Sequence, residues 1–162
     1  MSKQQTVVFL ERARGTYILI LRLSVPAALT VGRLGMFLFP AGWYAYVGSA
    51  FGMGGLQGRI KHHLAHGKHL HWHIDYLTQA AVIDEIWYLA NETRYEHIWV
   101  SLLATLPDSS IPVKRFGASD CKCLSHLFYF PARPAFEQFH TLTLEQGDVR
   151  CWEAGTTASI QQ

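Results

Sequence analysis

The chain has 162 residues, enough for one domain with its own core. Hydrophobic residues make up 49% and charged residues 16%, which excludes a disordered acidic or basic chain. A formal net charge of +2 does not mark a nucleic-acid binder by itself, although clustered cations would permit one. Three cysteines, an odd number, argue against a disulfide scaffold and for a reducing compartment. Charges occupy the first 14 residues, where a signal peptide needs an apolar stretch, so the chain reads as cytoplasmic.

Residues 6–10 (TVVFL) suit a short strand, and 16–23 (TYILILRL) suit a strong one, apolar, β-branched and aromatic, entered through Gly15. Pro26 ends it. Residues 36–39 and 43–48 read as further strands, with Pro40-Ala41-Gly42 as the turn between them. No charged residue falls among the 25 between Arg33 and Arg59, as in a membrane span. Seven of those residues are glycine, however, and Pro40 interrupts them. A spanning helix has no water to satisfy a broken backbone, so buried strands joined by glycine turns fit better.

The glycine-rich segment 52–58 reads as a loop running into a helix from Leu56 to about Ala65, with Leu56, Ile60 and Leu64 on one face. Gly67 ends it. Residues 71–80 are ambiguous, and 82–89 (VIDEIWYL) look like a strand. A second helix is expected over 94–105, with Ile98, Leu102 and Thr105 on one face and Pro107 as its stop. Residues 126–130 suit a late strand and 134–144 a short helix. From Gln146 the composition turns polar, which predicts a loose tail. With no internal repeat and no linker, the expectation is one mixed α/β domain over 1–145 and a tail over 146–162.

Four features carry chemistry. Gly15-Thr16-Tyr17 opens the first strong strand and Tyr46-Val47-Gly48 closes a later one. Arg59 lies eleven residues after Gly48 on a helix, and His63 lies four residues further, on the same helical face. With these motifs the chain resembles the GIY-YIG nuclease superfamily. The stretches GWYAYVGSA (42–50), HWHIDYL (71–77) and FGASDCKCLSHL (116–127) resemble its Uri-type branch of small proteins. The resemblance covers about residues 15 to 130 and rests on the order of the motifs rather than on any one of them.

The resemblance implies an α+β domain with a small antiparallel sheet of about three strands flanked by helices. It also implies a metal-dependent endonuclease acting on nucleic acid, with DNA the first candidate. On that analogy Tyr17 is the general base, with Tyr46 and His63 orienting the water or the phenol. A phenol's ordinary pKa, about 10, would have to fall near a cation. Arg59 offers a planar bidentate fork for phosphate. Glu96, at the start of the second helix, is the choice to hold Mg²⁺ or Mn²⁺, which accept oxygen ligands. Glu85 and Glu92 are its rivals. Thr93-Arg94-Tyr95-Glu96 also fits a capping box, in which the glutamate only caps the helix. The tyrosines can equally be strand residues with a wet hydroxyl, and Arg59 a solvated helix residue. The family places an asparagine after the metal glutamate, whereas the only asparagine here, Asn91, precedes Glu96. Asp120 is a reserve for its role.

Six of the nine histidines lie within 62–73. His62/His66 and His69/His73 have zinc-compatible spacing on a helix, but Gly67 separates the pairs, so a solvated polar face is preferred to zinc. If 71–75 is extended, His71, His73 and Asp75 share a face. His71 and His73 with Lys61 then form a substrate-binding patch that positions phosphate, and Trp72 can stack on a base. Cys121, Cys123 and His126 form a C-x-C-x-x-H spacing, tighter than most zinc sites and short of a fourth ligand. Buried small hydrophobes are the preferred reading there, with a second metal site as the alternative. A non-catalytic nucleic-acid-binding module is the rival to the nuclease. A protein partner or a second copy for specificity stays open.

Overall fold

The computed structural model describes residues 12–154. The expected strand over 6–10 lies outside them. The architecture is α+β. A five-stranded antiparallel sheet has the order β6-β4-β1-β5-β7. Its strands are β1 (Gly15–Leu23), β4 (Gly42–Ala50), β5 (Val82–Ala90), β6 (Leu127–Phe130) and β7 (Arg150–Glu153). A separate hairpin pairs β2 (Ala27–Val31) with β3 (Gly35–Phe39) around a 3₁₀ turn at Gly32–Leu34. The helices are α1 (Gly55–Leu64), α2 (His73–Leu77), α3 (Glu96–Thr105) and α4 (Phe136–Leu142). None of these helices is long and apolar enough to cross a membrane.

The central strand explains the layering. In β1 only Arg22 is exposed, because both faces are covered. Alternation then assigns each side chain to a core. Tyr17, Leu19, Leu21 and Leu23 pack with Leu56 and Ile60 of α1, with Ile74 and Leu77 of α2, and with the hairpin. Ile18 and Ile20 pack with Trp99 and Leu103 of α3, Phe139 of α4, Trp87 and Phe128. A strand buried on both faces reads as one apolar run, and 16–23 does.

The sheet is larger than the three strands expected. β4, β1 and β5 form its centre, and β6 and β7 extend both edges. The loose tail expected from Gln146 is corrected: Arg150–Glu153 pairs with β5, with Trp152 opposite Ile86. β2 starts directly after Pro26, so that proline ends one strand and admits the next. Proline's fixed φ suits a strand's first position. Ala27, Leu29 and Val31 turn to the core while Ala28 and Thr30 are exposed. α3 buries Trp99, Val100 and Leu103 rather than the Ile98, Leu102 and Thr105 face, and Ile98 is 50% exposed. Its sequence is apolar on more than one side, and the Trp99 contact with Phe139, 5.1 Å between ring centres, selects the face.

Register places the motif tyrosines. Tyr17 sits opposite Gly48, and Leu19 opposite Tyr46, so both tyrosines share one sheet face as diagonal neighbours. Gly48 is required there. A Cβ at Gly48 would lie 2.4 Å from Tyr17 Oη and 2.5 Å from its Cζ. Gly48→Ala should therefore displace the Tyr17 ring and cost about 1–3 kcal/mol, the scale of overpacking a filled core. Urea unfolding would check the cost. Unchanged stability would mean that the ring has room to move.

Candidate active site

The cleft lies at the end of the sheet where β1 begins and β4 ends. Its volume is about 470 Å³, and Tyr17, Tyr46, Arg59 and Glu96 all line it. These four residues come from β1, β4, α1 and α3, so helices from opposite faces of the sheet meet over its end. His63 lies beneath the cleft, 3% exposed, with Nε2 2.7 Å from Tyr17 Oη.

His63 has a second ring nitrogen, Nδ1, that is buried with no partner. A bare lone pair is cheaper to bury than an N–H without an acceptor. We therefore assign the proton to Nε2, which donates to Tyr17 Oη. That leaves the phenol's own hydrogen free to face the cleft. Burial, the neighbouring Tyr46 and Glu96 push the Tyr17 pKa well above its ordinary value, while the Arg59 guanidinium pulls it down. Burial likewise raises Tyr46, with Glu96 adding to the shift and Arg59 opposing it. In the protein alone both tyrosines are neutral phenols.

Burial, aided by Lys68, His62 and Arg59, lowers the His63 pKa well below that of free imidazole. The folded state thus binds fewer protons than the unfolded state below about pH 6.5. This contribution to stability is complete above that pH and falls as pH drops towards the folded value. The slope is at most about 1.4 kcal/mol per pH unit. His63→Gln should flatten that part of the profile. Urea unfolding of both proteins at about pH 7.5 and about pH 5.5, either side of the free imidazole value, would read the difference. Parallel profiles would contradict a buried neutral His63.

Arg59 is held by Trp72, which also lines the cleft. Its guanidinium stacks on Trp72 at 4.2 Å from the ring centre. Trp72 is in turn fixed by Asp75, which is 0% exposed. One Asp75 oxygen accepts the N–H groups of His71 (2.8 Å) and Trp72 (2.9 Å). The other meets His62 Nε2 at 3.1 Å. Asp75 therefore secures the turn that carries the Arg59 platform.

Glu96 opens α3 but does not cap it. Its Oε2 accepts Ser49 Oγ–H at 2.8 Å, and its Oε1 lies 3.2 Å from His126 Nδ1. The backbone N–H of Tyr95 goes instead to Thr16 Oγ1 at 3.2 Å. Burial raises the Glu96 carboxyl, but the bonds from His126 and Ser49 outweigh it and hold the pKa below its ordinary value. This ionised oxygen pair suits Mg²⁺ or Mn²⁺, which bind through one or two carboxylates and fill the remainder with water. Asp120 lines the same cleft and offers a second carboxylate. Of the rival ligands, Glu85 is bound to Trp87 Nε1 and Arg133, and Glu92 pairs with Arg14. Neither lines the cleft.

The family model for the domain of unknown function DUF123 matches residues 16–147. The chain belongs to the DUF123 family. No curated protein and no solved structure matches it. In this DUF123 chain the matched span begins one residue before Tyr17 and takes in every residue of the cleft.

The residues expected to bind substrate do not line the cleft. Lys61 and His71 are exposed and outside the cleft lining. His73 Nδ1 accepts the Gly117 N–H at 2.8 Å, and its ring packs on Phe116. The extended reading of 71–75 is corrected, since α2 starts at His73 and Asp75 turns back onto the residues before it. Cys121 and His126, for which a second metal site is the alternative to buried small hydrophobes, line the same cleft as Glu96. His126 is 2% exposed and bonds to Glu96, a link that its C-x-C-x-x-H spacing did not announce. Ser49, Arg94, Phe51 and His97 also line the cleft, and Arg94 stacks on Phe51 at 4.7 Å. Only Ser49, directly after Tyr46-Val47-Gly48, had a sequence signal.

Proposed function

We propose that this protein is a metal-dependent endonuclease that hydrolyses nucleic-acid phosphodiester bonds, with DNA its first candidate substrate. The observation that carries the reading is the meeting of Tyr17, Tyr46, Arg59 and Glu96 in one polar cleft. The order of these residues resembles the GIY-YIG superfamily, and we read the fold as GIY-YIG-like. The three cysteines are free thiols, which suits a reducing cytoplasm.

Hydrolysis needs an activated water, a neutralised phosphate and a stabilised leaving oxygen. Mg²⁺ or Mn²⁺ at Glu96 would supply Lewis-acid polarisation of the phosphate. Arg59, fixed by Trp72, offers the phosphate its planar fork, and Arg94 adds a second cation on the cleft wall. Tyr17 Oη first gives up its own proton to the solvent in the cleft and then, as the phenolate, accepts a proton from the water. His63 Nε2–H and Arg59 stabilise that phenolate. Tyr46 orients the water from the diagonal position on the same face.

The test is cleavage of duplex, branched and single-stranded DNA and RNA, with Mg²⁺, with Mn²⁺ and with chelator. Metal-dependent cutting is expected on at least one substrate. If nothing is cut but duplex is retained in a salt-dependent way, the protein is a binding module on the same fold.

A further inference from the structure

Next to Glu96 lies a group of side chains that the cleavage chemistry does not use. His97, Cys121, Cys123 and His126 place one ligand atom each within 4.8 Å of one another. From these residues we propose a Cys₂His₂ zinc site, distinct from the divalent-metal position at Glu96.

Geometry, donor chemistry and chain architecture all favour zinc. Zinc bonds of about 2.0–2.3 Å to nitrogen and sulfur give a tetrahedron with edges of about 3.3–3.8 Å. One edge is already near that length, with Cys121 Sγ 3.2 Å from His126 Nε2. The two imidazole rings stand at 87° with centres 5.8 Å apart, as rings converging on one point do. Two thiolates and two imidazoles are soft and borderline donors, the set of structural zinc sites and not of magnesium.

Both cysteines sit on an irregular stretch. Residues 111–126, between the bridge at Ser110 and β6, contain no helix or strand. Loops this long without secondary structure are uncommon inside a domain and are usually functional. A zinc ion would tie Cys121 and Cys123 to the first turn of α3 through His97. The sequence supplied three ligands. The fourth, His97, lies 24 residues before Cys121 and reaches them only through folding.

The same ion would place Glu96. With Nε2 on zinc, His126 keeps its proton on Nδ1, which lies 3.2 Å from both Glu96 Oε1 and Val47 O. This is the carboxylate–histidine–zinc arrangement that fixes a tautomer and orients the carboxylate.

The test uses the full chain without a histidine tag, purified under reducing conditions and dialysed against a weak chelator. Elemental analysis should find about one zinc per chain, as a closed four-ligand site holds. Replacement with Co²⁺ should produce the intense visible bands and thiolate charge transfer of a tetrahedral two-sulfur site. A joint Cys121→Ser and Cys123→Ser variant should lose the zinc. His97→Ala changes an exposed side chain and so keeps the fold. Its zinc affinity, by competition with a colorimetric chelator, should fall more than about 100-fold, beyond the loss of an outer-shell partner. No zinc retained on purification or on addition would overturn the proposal. So would zinc held unchanged by the double-serine variant, or a weak octahedral Co²⁺ spectrum. Cleavage is not a readout here, so the zinc site and the nuclease reading fail separately.

Discussion

Tyr17→Phe is expected to slow cleavage by about a hundredfold to ten-thousandfold, the span covered by a single general acid or base. The ring stays in its buried place between Gly48 and α1, because phenylalanine fills the same space. What is lost is the oxygen that faces His63 Nε2 and Arg59. A buried N–H on His63 then has no acceptor, which costs about 1–3 kcal/mol. The variant should therefore melt cooperatively at a lower temperature and bind nucleic acid as wild type does. Single-turnover cleavage separates the two effects, since binding is saturated. A wild-type single-turnover rate would remove Tyr17 as the proton acceptor. It would leave Tyr46 as the phenol nearest in geometry, on the same sheet face.

The second large effect belongs to Glu96. Glu96→Gln keeps the side chain's shape but removes the charge that a divalent metal needs. Cleavage should fall by about a hundredfold to a thousandfold, the loss seen when one electrostatic group is taken from a reacting centre. The deficit should shrink as Mg²⁺ is raised, because the lost interaction is with the metal. Glu96→Ala is a harsher change. It also leaves Ser49 and His126 without their carboxylate, at about 1.5–3 kcal/mol for each lost bond to a charged group. A metal titration of the cleavage rate, run beside a thermal melt, checks both. A rate in Glu96→Gln equal to wild type at limiting Mg²⁺ would exclude Glu96 as the ligand.

The two variants probe different ends of one cleft. Tyr17 stands on the α1 side of the sheet, with Arg59 and His63. Glu96 comes from α3, which packs the opposite face. The two sides meet at the end of β4, where Ser49 bonds to Glu96 and the Val47 carbonyl to His126. Loss of activity in both variants, with the fold kept in both, would tie the two sides to one reaction.

The strands and helices that frame the cleft were legible because their signals are local. The run 16–23 is apolar on both alternating positions, so it had to be buried on both faces. Leu56, Ile60 and Leu64 recur at helical spacing, and the helix forms over Gly55–Leu64. Tyr17, Tyr46, Arg59, His63 and Glu96 carried their own signal in the order of their motifs. The short strands were less visible. β2 has only five residues beside a proline, and β7 is a four-residue edge strand in a polar stretch. Such segments become strands because a neighbour offers hydrogen bonds, not because of their own composition.

What the sequence determined by itself was therefore the set of elements and the cast of residues able to do chemistry. What only the tertiary structure decided was who meets whom. Glu96 bonds to Ser49 and His126, 47 and 30 positions away, instead of capping its own helix. His73 closes on Gly117, 44 positions away, and Asp75 braces Trp72 under Arg59. His97 completes a ligand set with two cysteines and a histidine from a distant loop. Local spacing predicts a helix or strand because each depends on neighbours three, four or two residues away. Contacts between distant residues depend on strand register and on which helix covers which face, and those are settled only when the two cores pack.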